Sequence, residues 1–167
     1  MNYEGRAIHG YKKTKEYYAN YRREGTCSCV YCQNYIDEVK AAYPVVAEYL
    51  ATLGVNIERP FEAMLPYEVE DEKWEYAGVQ YLIVGNADGF EETKIGDVEI
   101  FVTTSHPSAT YEGEYFVIEI SPIRVKCRRD KYQFEEFEDS KGDRSCLTTH
   151  ISLTERCLKI LKNFTVK

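Results

Sequence analysis

The sequence predicts an α+β domain in which N-terminal helices pack on an antiparallel β-sheet and a C-terminal helix closes the chain. Three observations carry this reading. Up to Gly54 apolar residues recur at helical spacing, whereas from residue 55 to 127 they fall into strand-length runs separated by Gly, Asp, Asn and Pro. Further on, Ser152-Leu153-Thr154-Glu155 has the spacing of a capping box ahead of another apolar helix. The expected organisation is a single domain over 1–167, with a helical part at 1–54, a mainly β part at 55–127, a charged loop at 128–146 and the C-terminal helix at 147–167.

A first helix is expected over residues 12–24, ended by Gly25 in the position favoured for a left-handed cap. Tyr11, Lys15, Tyr18 and Arg22 run at helical spacing, as do Tyr17 and Tyr21, so the tyrosines are expected to dock this helix on the core. A second helix is expected over 33–43, with Tyr35, Ile36, Val39 and Tyr43 on one apolar stripe. Pro44 lacks a backbone donor and disfavours helical geometry at Tyr43, which predicts a break there and a third helix that uses Pro44 as its first residue. Val46, Tyr49, Leu50 and Leu53 make its buried face, and Gly54 ends it.

Strands are expected at Tyr67–Glu70, Trp74–Tyr76, Val79–Val84, Val98–Thr104 and Glu114–Ser121, all rich in β-branched and aromatic residues. Val98, Ile100 and Val102 alternate with Glu99, Phe101 and Thr103, which predicts a sheet with one well-buried face. Short connections favour antiparallel pairing. The charged stretch from Arg128 to Arg144 reads as a solvated loop. A final helix over 153–163 packs through Leu153, Cys157, Leu158 and Leu161, which makes Cys157 a small core residue.

With 167 residues, 44% of them hydrophobic, the chain is long enough to bury a core without disulfide or metal assistance. No secretory signal and no membrane-spanning run is found, so a cytoplasmic location with reduced thiols is expected. Charge is uneven. Residues 1–32 hold six Lys/Arg against three Glu, and the remainder carries −10 of the total of −7. That balance opposes attachment of the bulk of the protein to nucleic acid or anionic lipid and leaves only the N-terminal segment attractive to an anion. Its interleaved tyrosines and basic residues are accounted for by helix docking, so nucleic acid is not the expected partner.

The feature with most chemical content is Cys27-Ser28-Cys29-Val30-Tyr31-Cys32. Thiolates are soft ligands suited to zinc or iron–sulfur centres, and three of them leave a helix and enter another within six residues. A closed tetrahedral site needs a fourth ligand, for which Cys127, Cys146, His9, His106 and His150 are the candidates. Reduced structural cysteines are the bland alternative. A third reading takes Cys29-Val30-Tyr31-Cys32 as a redox CxxC whose thiolate is favoured by the start of a helix, although no strand precedes it as in a thioredoxin-like unit. No GxSxG elbow, HExxH helix or phosphate loop is present, and Gly85-Asn86-Ala87-Asp88-Gly89 reads as a turn.

Taken together, Cys27-x-Cys29-x-x-Cys32-x-Asn34-Tyr35, Leu53-Gly54-Val55, Arg59-Pro60 and Tyr76-x-Gly78-x-x-Tyr81-x-x-Val84-Gly85 resemble a bacterial protein family with a CxCxxCxN(F/Y) signature and no assigned activity. The likeness spans residues 17–120. The sequence therefore leads to a non-enzymatic binding or interaction module, with a protein partner, whose Cys27, Cys29 and Cys32 hold zinc or a similar metal. The alternative is a thiol-dependent redox enzyme using Cys29 and Cys32.

Overall fold

The computed structural model of the chain describes residues 10–20, 27–134, 137–138 and 144–145. Three helices come first, α1 (Tyr11–Asn20), α2 (Val30–Ala42) and α3 (Pro44–Thr52). The strands follow, and every pairing is antiparallel, so the α+β class and the N-terminal placement of the helices are as the sequence predicts. The expected C-terminal helix lies outside the described residues, as do Gly25, Cys146, Cys157, His9 and His150. Among the described residues, no helix is long and apolar enough to cross a membrane.

One sheet was expected, and the described residues form two main ones. The larger has the order β1-β4-β7-β6-β5, built from β1 (Glu62–Ala63), β4 (Val79–Val84), β5 (Thr93–Ile95), β6 (Val98–Thr103) and β7 (Tyr115–Ser121). The smaller has the order β2-β3-β8, from β2 (Tyr67–Glu70), β3 (Lys73–Tyr76) and β8 (Ile123–Lys126). A two-stranded pair, β9 (Phe137–Glu138) and β10 (Arg144–Ser145), stands apart from both. The chain passes from the larger sheet to the smaller through the cis Ser121–Pro122 peptide. Strands β1, β5 and β8 escape sequence reading because two are very short and the third alternates its apolar residues with Arg124 and Lys126 directly after a proline.

The core lies where α2 crosses both sheets. Tyr35 of α2 meets Tyr76 of β3, ring centroids 5.2 Å apart, and shares a 2.5 Å hydrogen bond with the Tyr81 phenol of β4. Tyr81 spends its own proton on the Ile57 carbonyl at 2.8 Å, so Tyr35 is the donor in the pair. Burial pushes both phenols above their ordinary pKa, which keeps them protonated and able to donate. From α3, Val46 and Leu50 are buried in the same core, with Leu53 beside them, as the sequence predicts.

Helix α1 has an unexpected task. Beyond β1 the outer edge of β4 would expose backbone groups, and α1 covers them: the Tyr18 phenol donates to the Leu82 carbonyl at 3.1 Å, and the Val84 amide donates to the Thr14 hydroxyl at 3.1 Å. Tyr18 and Thr14 are therefore the buried residues of this helix, while Tyr11, expected to dock, is exposed. Two glycines allow the close approach. A Cβ on Gly10 would stand 1.8 Å from the Val84 carbonyl oxygen, and one on Gly54, at φ +82°, would stand 2.7 Å from the Tyr11 carbonyl oxygen.

Residues 128–134, the described part of the expected charged loop, are irregular and largely exposed as the sequence predicts, and they are also tied to α2. Arg128 donates to Glu38 at 2.9 Å and to both oxygens of Asp130, Lys131 and Tyr132 hold Asp37, and the Phe134 ring lies 4.3 Å from that of Trp74. The charges of this stretch are complementary to the acidic face of α2, and an aromatic residue follows them into the core. It acts as a clamp on α2.

Candidate metal centre

The cysteine cluster is shaped by how α2 begins. The helix starts at Val30, three residues before its expected position, because Cys29 caps it: the Cys29 sulfur accepts the Cys32 amide at 3.5 Å, and the Cys29 carbonyl accepts the Gln33 amide at 3.0 Å. Cys32 is thereby in the first helical turn, three residues from the cap and on the same side of it. Cys27 precedes the helix, and its carbonyl is pinned by the Gln33 side-chain amide at 3.1 Å. With the chain folded back in this way, the three sulfurs all lie within 4.8 Å of one another and form a group that can hold a metal ion.

All three cysteines are half-buried and free of disulfides. Thiols crowded together resist ionisation. Hydrogen bonding with Cys27 is the largest influence on both Cys29 and Cys32, raising each above the ordinary thiol range; contact with Cys29 and burial push Cys32 up further. This direction is opposite to the lowered thiol pKa expected from a helix start alone. A bound cation supplies the compensating charge that lets such thiols deprotonate and ligate.

Behind the cluster, α2 is held from several sides. Asn34 is fully buried, donating to the Lys126 carbonyl at 3.0 Å and accepting from the Arg128 amide at 2.8 Å, as a neighbouring strand would. The Tyr76 phenol donates to the Tyr31 carbonyl at 2.6 Å, and the Tyr31 ring lies 5.0 Å from Trp74. The first turn that carries the sulfurs is thus fastened to β3 and β8 and is not a free loop.

No family model, curated protein or solved structure matches this chain. The site is accordingly read from its own geometry. Of the candidate fourth ligands, Cys127 is buried in the core and His106 sits between the rings of Phe61 and Tyr115; neither joins the sulfur group. Among the described residues the metal-competent group consists of the three cysteines the sequence singled out. The supports Asn34, Tyr76 and Arg128 were not recognised as parts of the site. Their partners lie 45 to 94 residues away in the chain; Asn34 and Tyr76 stood among the motif residues without a stated role, and Arg128 did not.

Proposed function

We propose that this chain is a non-enzymatic binding module whose Cys27, Cys29 and Cys32 thiolates hold a single soft metal ion, zinc by preference. The observation that carries the reading is the convergence of the three sulfurs to within 4.8 Å at the capped, clamped start of α2. Soft thiolates select zinc and similar ions over magnesium or calcium, which take oxygen ligands. Such a site would tie the first turn of α2 to the segment that precedes it.

A redox pairing of Cys29 and Cys32 is the competing reading, favoured by their three-residue spacing at the helix start. Elemental analysis of untagged protein purified without chelator, alongside a thiol count before and after denaturation, separates the two. About one equivalent of zinc, lost in Cys27→Ser together with thermal stability, supports the metal site. Freely titrating thiols with no metal would remove it, and a disulfide between Cys29 and Cys32 that forms reversibly, with stability unchanged in Cys27→Ser, would favour the redox pair.

A further inference from the structure

We infer that the groove between α1, α3 and the 54–59 segment binds a small aromatic anion of the aryl-phosphate class. The groove has a volume of about 460 Å³, within the range of small-molecule sites. It exists because small residues face it, Ala19 from α1, Ala47 and Ala51 from α3, and Gly54 beyond. Larger side chains at these positions would fill the space between the two helices. Tyr11 lines the groove with its ring exposed, and Val55 and Ile57 add apolar wall. A flat apolar body is the shape this lining accepts.

Charge supplies the second half of the argument. The lining holds three cations, Lys15, Lys40 and Arg59, against a single carboxylate, Glu58, which Lys40 already holds at 3.2 Å. Counted over these lining residues alone the balance is +2, in a chain of −7. Arg59 is fixed in place by donation to the Tyr18 carbonyl at 2.5 Å, and the Lys15 ammonium stands 5.9 Å from the centre of the Tyr11 ring. A cleft that concentrates one sign of charge between low-dielectric walls draws in the opposite ion, and Arg and Lys pair well with phosphate oxygens. An aryl phosphate meets both demands: its ring lies on Tyr11 and the alanines, and its phosphate meets the cations.

This site is separate from the sulfur cluster. Lys40 lies near the far end of α2 from Cys29, about 16 Å along the helix axis at 1.5 Å per residue. Loss of metal binding and loss of anion binding are therefore distinguishable results.

The test is a titration of the isotope-labelled full chain with phenyl phosphate, inorganic phosphate and benzyl alcohol, followed by amide chemical shifts. Phenyl phosphate should give saturable shifts at Lys15, Ala51 and residues 54–59, with inorganic phosphate and benzyl alcohol each at least about fivefold weaker because each offers only half of the contact. Ala51→Leu, which fills the groove from an exposed helix position, and Lys15→Glu, which reverses an exposed charge, should each weaken phenyl phosphate by about fivefold or more. The proposal is overturned if shifts fail to saturate by about 10 mM, far weaker than an ordinary site, or if benzyl alcohol binds as well as phenyl phosphate. It is equally overturned if the variants leave binding unchanged. Should Ala51→Leu disturb amides beyond the groove, Lys15→Glu decides alone.

Discussion

In the five-stranded sheet β4 and β7 bury both faces, whereas in the three-stranded sheet only the central β3 does so and both edge strands turn one face to water. Strand β4 is buried at every position, and β7 from Phe116 to Ile120. On one side Tyr81, Ile83, Ile118 and Ile120 face the helices; on the other, Leu82 and Val117 are fully covered, and Gln80 bonds both Glu119, at 2.9 Å, and the Ser105 carbonyl, at 2.8 Å, of the segment that folds over this face. By contrast β8 alternates buried Ile123 and Val125 with exposed Arg124 and Lys126, and β2 leaves Tyr67 and Val69 in solvent. The difference teaches that alternation in sequence reports whether a second layer exists.

Truncation should expose this contrast most strongly. Leu82→Ala, on the loop-covered face of β4, should cost about 2–5 kcal/mol of unfolding free energy in denaturant titration, as expected for a cavity in a packed core. A cost near zero would show that the 104–114 segment does not seal the face. Next in size is Tyr81→Phe, which leaves the Ile57 carbonyl without its buried donor and should cost about 1–3 kcal/mol in the same assay; an unchanged midpoint would mean that water reaches this carbonyl.

The three-stranded sheet responds instead to pH. Glu75 is held below the ordinary carboxylate range first by the hydrogen bond from Tyr67 and then by Arg124, whose Nε lies 2.6 Å away. Its folded pKa is lower than its unfolded one, so its stabilisation is present above about pH 4.3 and disappears as pH falls through the folded value. Stability measured between pH 7 and pH 3 should therefore fall less steeply in Glu75→Gln than in the parent, and parallel curves would remove the assignment. Smallest of all, Val69→Ala on exposed β2 should change stability by no more than about 0.5 kcal/mol; a larger loss would mean that this strand is covered in solution.

Several of these features were legible in the chain. The break at Tyr43-Pro44, the end of α3 at Gly54 and the bounds of β2 and β4 follow from local chemistry: a missing donor, a left-handed backbone, a run of β-branched residues. The closeness of Cys29 and Cys32 was legible for the same reason, since a helix start brings residues three apart together. What local pattern could not show was the division into two sheets, the capping of the β4 edge by Thr14 and Tyr18, or the clamp of residues 128–134 on α2. In each case the deciding partner is distant in sequence and is recognised by shape and hydrogen bonding rather than by spacing.

The stretch from Cys27 to Tyr35 marks the boundary between the two. By itself the sequence determined which thiols stand close along the chain, Cys27, Cys29 and Cys32 within six residues; their convergence came with the Cys29 cap and the Gln33 side chain that holds Cys27 back against the helix start. Only the tertiary structure decided what Asn34, Tyr35, Tyr76 and Tyr81 do: they tie α2 to both sheets through buried hydrogen bonds. A phenol or amide in sequence specifies a capacity to donate and accept, and its partner is chosen when the layers close and leave no water to take that place.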